Sequence, residues 1–183
     1  MIKTQLDFPR LRTLFLLLAS TMTIMAGATL APALPGMQQA FDGLPYAEFI
    51  VKFALSLPGL TIAICAPFFG RLLDRAHKKT VLIVALAFYA VSGVIGYFYS
   101  DSLIAILLSR LTLGAAVAAI MVTCTVLAGE YFKGPKLGEY MGLQAAFGGF
   151  GGVIFLSIAG VLAEQSWTYV FLIYLFALVI LPG

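Results

Sequence analysis

Charged residues are scarce in this chain. Asp, Glu, Lys and Arg together make up 10% of its 183 residues, whereas 62% are hydrophobic. A soluble domain of this length needs more charge than that to cover its surface, and uninterrupted apolar runs of more than 18 residues recur along the sequence. The composition therefore predicts an all-α polytopic membrane protein, because helices are the simplest way to satisfy backbone polar groups in lipid.

Groups that do chemistry are equally scarce. The single histidine, His77, has no cysteine near it, and the sequence contains no HExxH motif and no carboxylate cluster, so we expect neither a metal nor a cofactor. Cys65 and Cys124 lie in apolar runs without a CxxC partner, which is typical of small buried hydrophobes. No carboxylate lies inside an apolar run, so an intramembrane protease and enzymes in general are not supported. There is no basic patch outside the short loops, and nucleic acid is not an expected partner.

Apolar runs divide the chain into a polar tail, residues 1–12, and a bundle over residues 13–183. Six membrane helices are predicted, at about 13–35, 49–69, 80–98, 103–128, 140–162 and 168–183. The last run has only 16 residues from Thr168, and about 20 are needed to span a bilayer, so we expect the chain to be incomplete. A cleaved signal peptide is the alternative for the first run, but that run is too long for a signal core.

Positive charge falls on one side of this topology. Nine of the eleven Lys and Arg residues lie in the tail and in the second and fourth connecting loops: Lys3, Arg10, Arg12, Arg71, Arg75, Lys78, Lys79, Lys133 and Lys136. The loops on the other side carry none. Positive loops stay on the cytoplasmic side, so the count predicts a cytoplasmic N-terminus in a cytoplasmic (inner) membrane.

Three stretches carry a family resemblance. Residues 70–82 read Gly-Arg-Leu-Leu-Asp-Arg-Ala-His-Lys-Lys-Thr-Val-Leu, residues 30–37 read Leu-Ala-Pro-Ala-Leu-Pro-Gly-Met, and residues 109–116 read Ser-Arg-Leu-Thr-Leu-Gly-Ala-Ala. They resemble the signature loop, the end of the first helix and the fourth-helix motif of the major facilitator superfamily, most closely its drug-efflux and sugar-efflux branches. His77 stands where the family usually has Gly, and Leu113 where it usually has Gln. The bland alternative for the loop is an ordinary positive-inside connection.

This resemblance implies two inverted three-helix repeats, which form half of a twelve-helix fold. It implies proton-coupled efflux of a drug-like or sugar-like small molecule by alternating access, with a C-terminal six-helix half or a second copy completing the cavity. The signature loop would act as a gate near membrane lipid through Gly70, Arg71, Asp74, Arg75, Lys78 and Lys79. Gly70 is expected to let helices approach closely. Glu130 would be the gate's partner, through Arg71 or Arg75; otherwise it is a solvated loop acid.

Arg110 is the strongest candidate inside the membrane. It lies about seven residues into the fourth run, roughly 10 Å deep at 1.5 Å per residue, where an unpaired cation is costly. The resemblance links Arg110 and Gly114 to the cavity and to proton coupling. A structural hydrogen bond from Arg110 to backbone carbonyls of a neighbouring helix is the alternative.

Smaller residues form two further patterns. Thr21, Met25 and Thr29 share one helical face, where they line a cavity or bond back to the backbone. Gly148 and Gly152 form a G-x-x-x-G pattern, which predicts close helix packing. Two other functions stay open: an organic-anion transporter that uses Arg110, and a non-transporting six-helix module that pairs with itself through Gly148 and Gly152.

Overall fold

The computed structural model describes the backbone of residues 8–180 and the side chains of residues 12–180, and these residues form helices joined by short turns. Residues 1–7 of the predicted tail and residues 181–183 lie outside the described backbone, and residues 8–12 of the tail belong to the first helix. The elements are α1 (Phe8–Ala28), a 3-10 turn (Ala31–Ala33), α2 (Leu34–Ala40), α3 (Ala47–Leu73), α4 (Lys78–Phe98), α5 (Leu103–Tyr131), α6 (Pro135–Gln165), a 3-10 helix (Trp167–Phe176) and α7 (Ala177–Ile180).

Five of these stretches are long and apolar enough to cross a membrane, and a shorter apolar segment, Trp167–Ile180, follows them. The all-α polytopic prediction is therefore confirmed. The first span includes the 3-10 turn and α2, because α1 itself ends at Ala28 and not near residue 35. Pro32 and Pro35 lack the amide that would continue α1, and each sits at the start of the next short helix.

The two prolines of α3 do not end it. Pro58 and Pro67 both lie inside one continuous helix that runs on to Leu73. The apolar run predicted that this helix ends near residue 69, and the helix instead extends beyond that point. Glu48 and Lys52, in the first turns of α3, form an i,i+4 ion pair.

The signature loop is mostly helix. Gly70 and Arg71 belong to the last turn of α3, Asp74 is its C-terminal cap, and Lys78 is the first residue of α4. His77, where the superfamily usually has Gly, has φ −67° and ψ 111°, a conformation open to any residue. The turn therefore does not need a glycine at this position.

The later helices are longer than their predicted apolar cores. Ser102 accepts a hydrogen bond from the Ala105 amide at 3.4 Å and starts α5, and Pro135 occupies the first turn of α6. The polar first turns of α6 extend the helix beyond its hydrophobic run, so a hydropathy pattern alone places its start too late.

The first three spans pack closely against the last three. The most extensive contacts join α3 to α5, α4 to α5, α1 to α6, and α4 to the 3-10 helix. An inverted repeat that relates the first three spans to the last three exchanges the α3–α5 pair with the α6–α1 pair. Both pairs are present, as expected for two inverted three-helix repeats. The core lies where α5 meets α1 and α4, and its largest fully buried side chain is Arg110.

Candidate functional site

Arg110 lies in the interior of the bundle with 1% of its surface exposed. Its Nη1 donates a hydrogen bond to the Tyr174 hydroxyl at 2.8 Å. The guanidinium carbon is 5.0 Å from the centre of the Phe171 ring and 5.3 Å from that of Tyr174. Aromatic faces attract a cation most strongly where water is excluded, so these rings stabilise the buried charge.

The other nitrogens of this guanidinium lack partners. Nε and Nη2 of Arg110 form no hydrogen bond within residues 12–180, and no carboxylate in that range pairs with the side chain. A buried cation with one neutral hydrogen bond and two aromatic contacts is poorly compensated. The alternative was a hydrogen bond from Arg110 to backbone carbonyls. Within residues 12–180 Arg110 instead donates to the side-chain hydroxyl of Tyr174.

The end of α1 reaches the same cluster through Thr29. Its Oγ1 is 2.7 Å from the Tyr174 hydroxyl and donates to the Met25 carbonyl at 2.9 Å. Thr29 and Met25 are fully buried. Thr21 lies apart from them, donates to the Leu18 carbonyl at 2.6 Å and lines a groove beside α6. Both threonines therefore form the back-bonds that were considered as the alternative to a cavity.

Gly114 is a helix contact. A Cβ added to it would lie 2.8 Å from the Pro58 carbonyl oxygen and 2.6 Å from Cβ of Thr61, both on α3. Only a glycine allows α5 to pass this close to the backbone of α3. The structure thus places Gly114 between two helices, whereas the sequence suggested the cavity.

At the opposite end of α5, Glu130 forms an ion pair with Lys78 at 2.9 Å. The sequence suggested Arg71 or Arg75 as its partner. In the structure the partner is instead Lys78, in the first turn of α4. Gly70 has no described neighbour within 4 Å of an added Cβ, so the close approach expected there is not found within residues 12–180.

A pocket of about 430 Å³ opens beside this ion pair. Arg12, His77 and Lys79 line it together with Lys78 and Glu130, and its apolar wall comes from α1, α4, α5 and Ile180. The predicted gate cations at the start of α4 therefore share one cavity with the end of α5.

Gly148 and Gly152 are already packed within the chain. An added Cβ would lie 2.5 Å from Cδ1 of Ile24 at Gly148 and 3.2 Å from its Cγ2 at Gly152. The predicted close packing is thus found between α6 and α1.

Comparison with known families decides what this architecture is. The sequence profile described as Major Facilitator Superfamily matches residues 16–182, which is nearly the whole chain. The chain belongs to the major facilitator superfamily. Its similarity to an uncharacterized MFS-type transporter, EfpA, of Mycobacterium tuberculosis strains CDC 1551 / Oshkosh and ATCC 25618 / H37Rv is 31% identity over 105 residues. That alignment covers 57% of this chain and 20% of each relative, so the chain spans only a small part of the relatives' length.

Membership in the superfamily makes the chain a multi-pass membrane protein of a transporter family. The fold class and the resemblance predicted from three short motifs are both confirmed. The superfamily fold also accounts for the arrangement of α3 with α5 and of α1 with α6, since each pair joins one helix from each inverted repeat.

Several residues around Arg110 were not predicted as part of this superfamily site. Tyr174, Phe171 and Tyr89 surround the guanidinium or its partner, and the Tyr89 ring is 5.5 Å from that of Tyr174. Gly93 and Gly96 seat this cluster, because a Cβ at Gly93 would lie 2.7 Å from both the Phe171 carbonyl oxygen and Cβ of Tyr174. Their i,i+3 spacing in an apolar run was the available signal.

Proposed function

We propose that the native protein is a secondary active transporter that moves a small molecule across the cytoplasmic membrane by alternating access. Proton-coupled efflux of a drug-like or sugar-like solute is the form we favour. The carrying observation is the match to the superfamily over residues 16–182, together with an arginine buried at 1% exposure inside the bundle. A charge held at that depth without a carboxylate is costly to fold around, which favours a functional role.

The proposed mechanism uses rigidly packed helices and the loop that joins α3 to α4. Gly114 fixes α5 against α3, so these helices move together, and the Lys78–Glu130 pair joins the start of α4 to the end of α5. We assign the gate to this ion pair and to Gly70, Arg71, Asp74, Arg75 and Lys79 around it. Opening the gate separates partly exposed charges, which costs only about 0–1 kcal/mol and allows repeated cycling.

A second six-helix half, or a second copy, is part of this proposal. The cavity of a twelve-helix transporter forms between two halves, and the described helices expose large apolar faces such as Phe150 and Val153 on α6. Intact mass spectrometry of the native product tests this point. A mass near 19.6 kDa would oppose a covalent second half and leave self-assembly as the way to complete the cavity.

Efflux is tested in a host lacking its own drug pumps. We expect inverted membrane vesicles containing the native protein to accumulate ethidium when a proton gradient is imposed, and to lose this activity when the gradient is collapsed. Vesicles with Arg110→Lys serve as the matched variant, because lysine keeps the charge and loses the fork. Equal ethidium transport with and without the gradient would contradict proton coupling.

Transport of an organic anion is the second candidate. Its support is the pair of unpartnered nitrogens on Arg110, which match the two oxygens of a carboxylate. Gradient-driven movement of benzoate, with no movement of ethidium, would favour it. The self-pairing module receives less support, since Ile24 of the same chain fills the surface at Gly148 and Gly152.

The proposed orientation has a cytoplasmic N-terminus. Its support is the charge count, with nine cations on one set of loops and none on the other. Single cysteines at Ser102 and at Lys133 in a Cys65→Ser, Cys124→Ser background test it. An impermeant maleimide added to intact cells is expected to label the first and not the second, and the reverse pattern would overturn the orientation.

A further inference from the structure

Three side chains on three segments form one continuous hydrogen-bond chain. Arg110 of α5 donates to Tyr174 of the 3-10 helix at 2.8 Å, and the Tyr174 and Thr29 hydroxyls are 2.7 Å apart. Thr29 in turn donates to the Met25 carbonyl on α1 at 2.9 Å. The chain therefore runs from the buried charge to the end of α1.

The direction of every bond in this chain is fixed. A guanidinium has donors and no acceptor, so the Tyr174 oxygen must accept from Arg110. A carbonyl only accepts, so the Thr29 hydroxyl is used as the donor to Met25. The proton between Tyr174 and Thr29 consequently belongs to tyrosine, and each hydroxyl donates one bond and accepts one. Position 174 therefore needs a side chain that can accept from Arg110 and donate to Thr29.

Packing holds Tyr174 in place independently of the arginine. Its ring meets Tyr89 edge-on at 5.5 Å, and Tyr89 donates to the Met22 carbonyl on α1 at 3.1 Å. Gly93 lets the backbone of the 3-10 helix approach α4 so closely that a Cβ would reach Cβ of Tyr174 at 2.7 Å. Tyr174 is thus a pre-positioned acceptor, to which the long and flexible arginine adapts.

We propose that Tyr174 is a positioning residue for Arg110, and that Thr29, acting through Tyr174, ties the orientation of the guanidinium to the end of α1. Tyr174 takes up Nη1 and leaves Nε and Nη2 as the pair available for a coupling or substrate group. Movement of α1 at Thr29 therefore changes where that pair points. The effect on transport rests on the proposed function. The positioning of Arg110 by Tyr174 and Thr29 rests on the hydrogen-bond chain alone.

The geometry is tested first, without any substrate, by a double-mutant cycle on thermal unfolding of the purified native protein. Tyr174→Phe and Thr29→Val are each expected to lower the Tm by about 2–4 °C, and the double variant by less than the sum of the two shifts, because both single variants already lose the Tyr174–Thr29 bond. Tyr169→Phe is the matched control, because that tyrosine lies on the same segment and its ring makes a tilted contact with Tyr97, outside the hydrogen-bond chain. Additive Tm shifts from the two variants would overturn the chain.

The consequence is tested by the pH profile of ethidium efflux. Tyr174→Phe is expected to shift the midpoint of the profile and to reduce the rate at least about tenfold at the wild-type optimum, whereas Tyr169→Phe leaves both unchanged. Thr29→Val is expected to shift the midpoint in the same direction as Tyr174→Phe. Thr29→Ser is expected to keep the wild-type midpoint, because serine keeps the hydroxyl.

These two experiments separate the inference from the proposed function. A wild-type protein that moves no ethidium would count against drug efflux, and the Tm cycle alone would then decide the hydrogen-bond chain. A coupled Tm cycle with an unchanged pH profile in Tyr174→Phe would overturn the positioning role. A profile that Thr29→Val shifts and Thr29→Ser leaves unchanged would support it.

Discussion

Lys78 and Glu130 form an ion pair between two helix ends, and each charge lies at a helix end of its own sign. Lys78 is the first residue of α4, where the helix dipole is positive, and Glu130 is next to the last residue of α5, where it is negative. Each charge alone is therefore misplaced at its helix terminus, and the 2.9 Å pair offsets both costs. Their side chains are 28% and 50% exposed, so solvent weakens this compensation.

The charge reversal at this pair is expected to be tolerated. In a protein with Lys78→Glu and Glu130→Lys, each charge complements its own helix end and the pair is kept, so stability should be unchanged or higher by up to about 1 kcal/mol. Either single reversal leaves like charges together and is expected to lower the Tm. Glu139→Gln, which removes an exposed carboxylate near the start of α6, is the control. A double reversal less stable than both singles would contradict this account.

Gly114→Ala is expected to be among the most damaging single-methyl changes in the chain. The added Cβ would meet the backbone of α3 at Pro58, which cannot rotate away, and overpacking of this kind costs about 1–3 kcal/mol. Gly129→Ala, on the same helix with nothing within 4 Å, is the matched control. Fluorescence-detected gel filtration after heating gives both values, and equal apparent Tm values for the two variants would contradict the close helix contact.

Gly148→Ala should cost less than Gly114→Ala. Its new methyl group would meet the tip of the Ile24 side chain, which can rotate, and not a backbone atom. Ile24→Val in the same chain is expected to restore most of the lost stability. Gly142→Ala, in open space on α6, provides the control. If Gly148→Ala instead dissociated an oligomer on native mass spectrometry, the self-pairing alternative would gain support.

Arg110→Met is expected to separate stability from transport. Arg110 has no carboxylate partner within residues 12–180 that its removal would leave unpaired, and an apolar side chain avoids the cost of burying the charge. The variant should therefore unfold at the wild-type temperature or above it while ethidium efflux falls to background. Tm measurements and vesicle transport on the same preparation check this. A variant that unfolds well below the wild type would instead assign Arg110 a structural task.

Sequence patterns predicted the fold well because hydropathy and loop charge are local properties. The positions of the apolar runs, the Tyr99–Ser102 turn and the Glu48–Lys52 pair all depend on neighbours a few residues away. Helix ends were less predictable. Pro32 and Pro35 follow the early end of α1, whereas Pro67 lies inside α3, which continues past it and packs against α5.

The candidate site was only half visible in the sequence. Arg110 stood out because a charge in an apolar run is rare, but its partner Tyr174 is 64 positions away and looks like an ordinary membrane-helix aromatic. Likewise, the pairing of Glu130 with Lys78 and not with Arg71 or Arg75 joins residues that are 52 positions apart in the sequence. Contacts of this kind are set by tertiary packing, on which a single sequence carries little information.

The 3-10 winding of Trp167–Phe176 also sets the angular position of Tyr174. A 3-10 helix turns by about 120° per residue and an α-helix by about 100°, so over the seven residues from Trp167 to Tyr174 the two differ by about 140°. Rewinding this segment as α-helix would swing the tyrosine ring to nearly the opposite side and shorten those ten residues by about 5 Å. The hydrogen-bonded connection from Arg110 to α1 through Tyr174 therefore depends on the 3-10 winding of this segment.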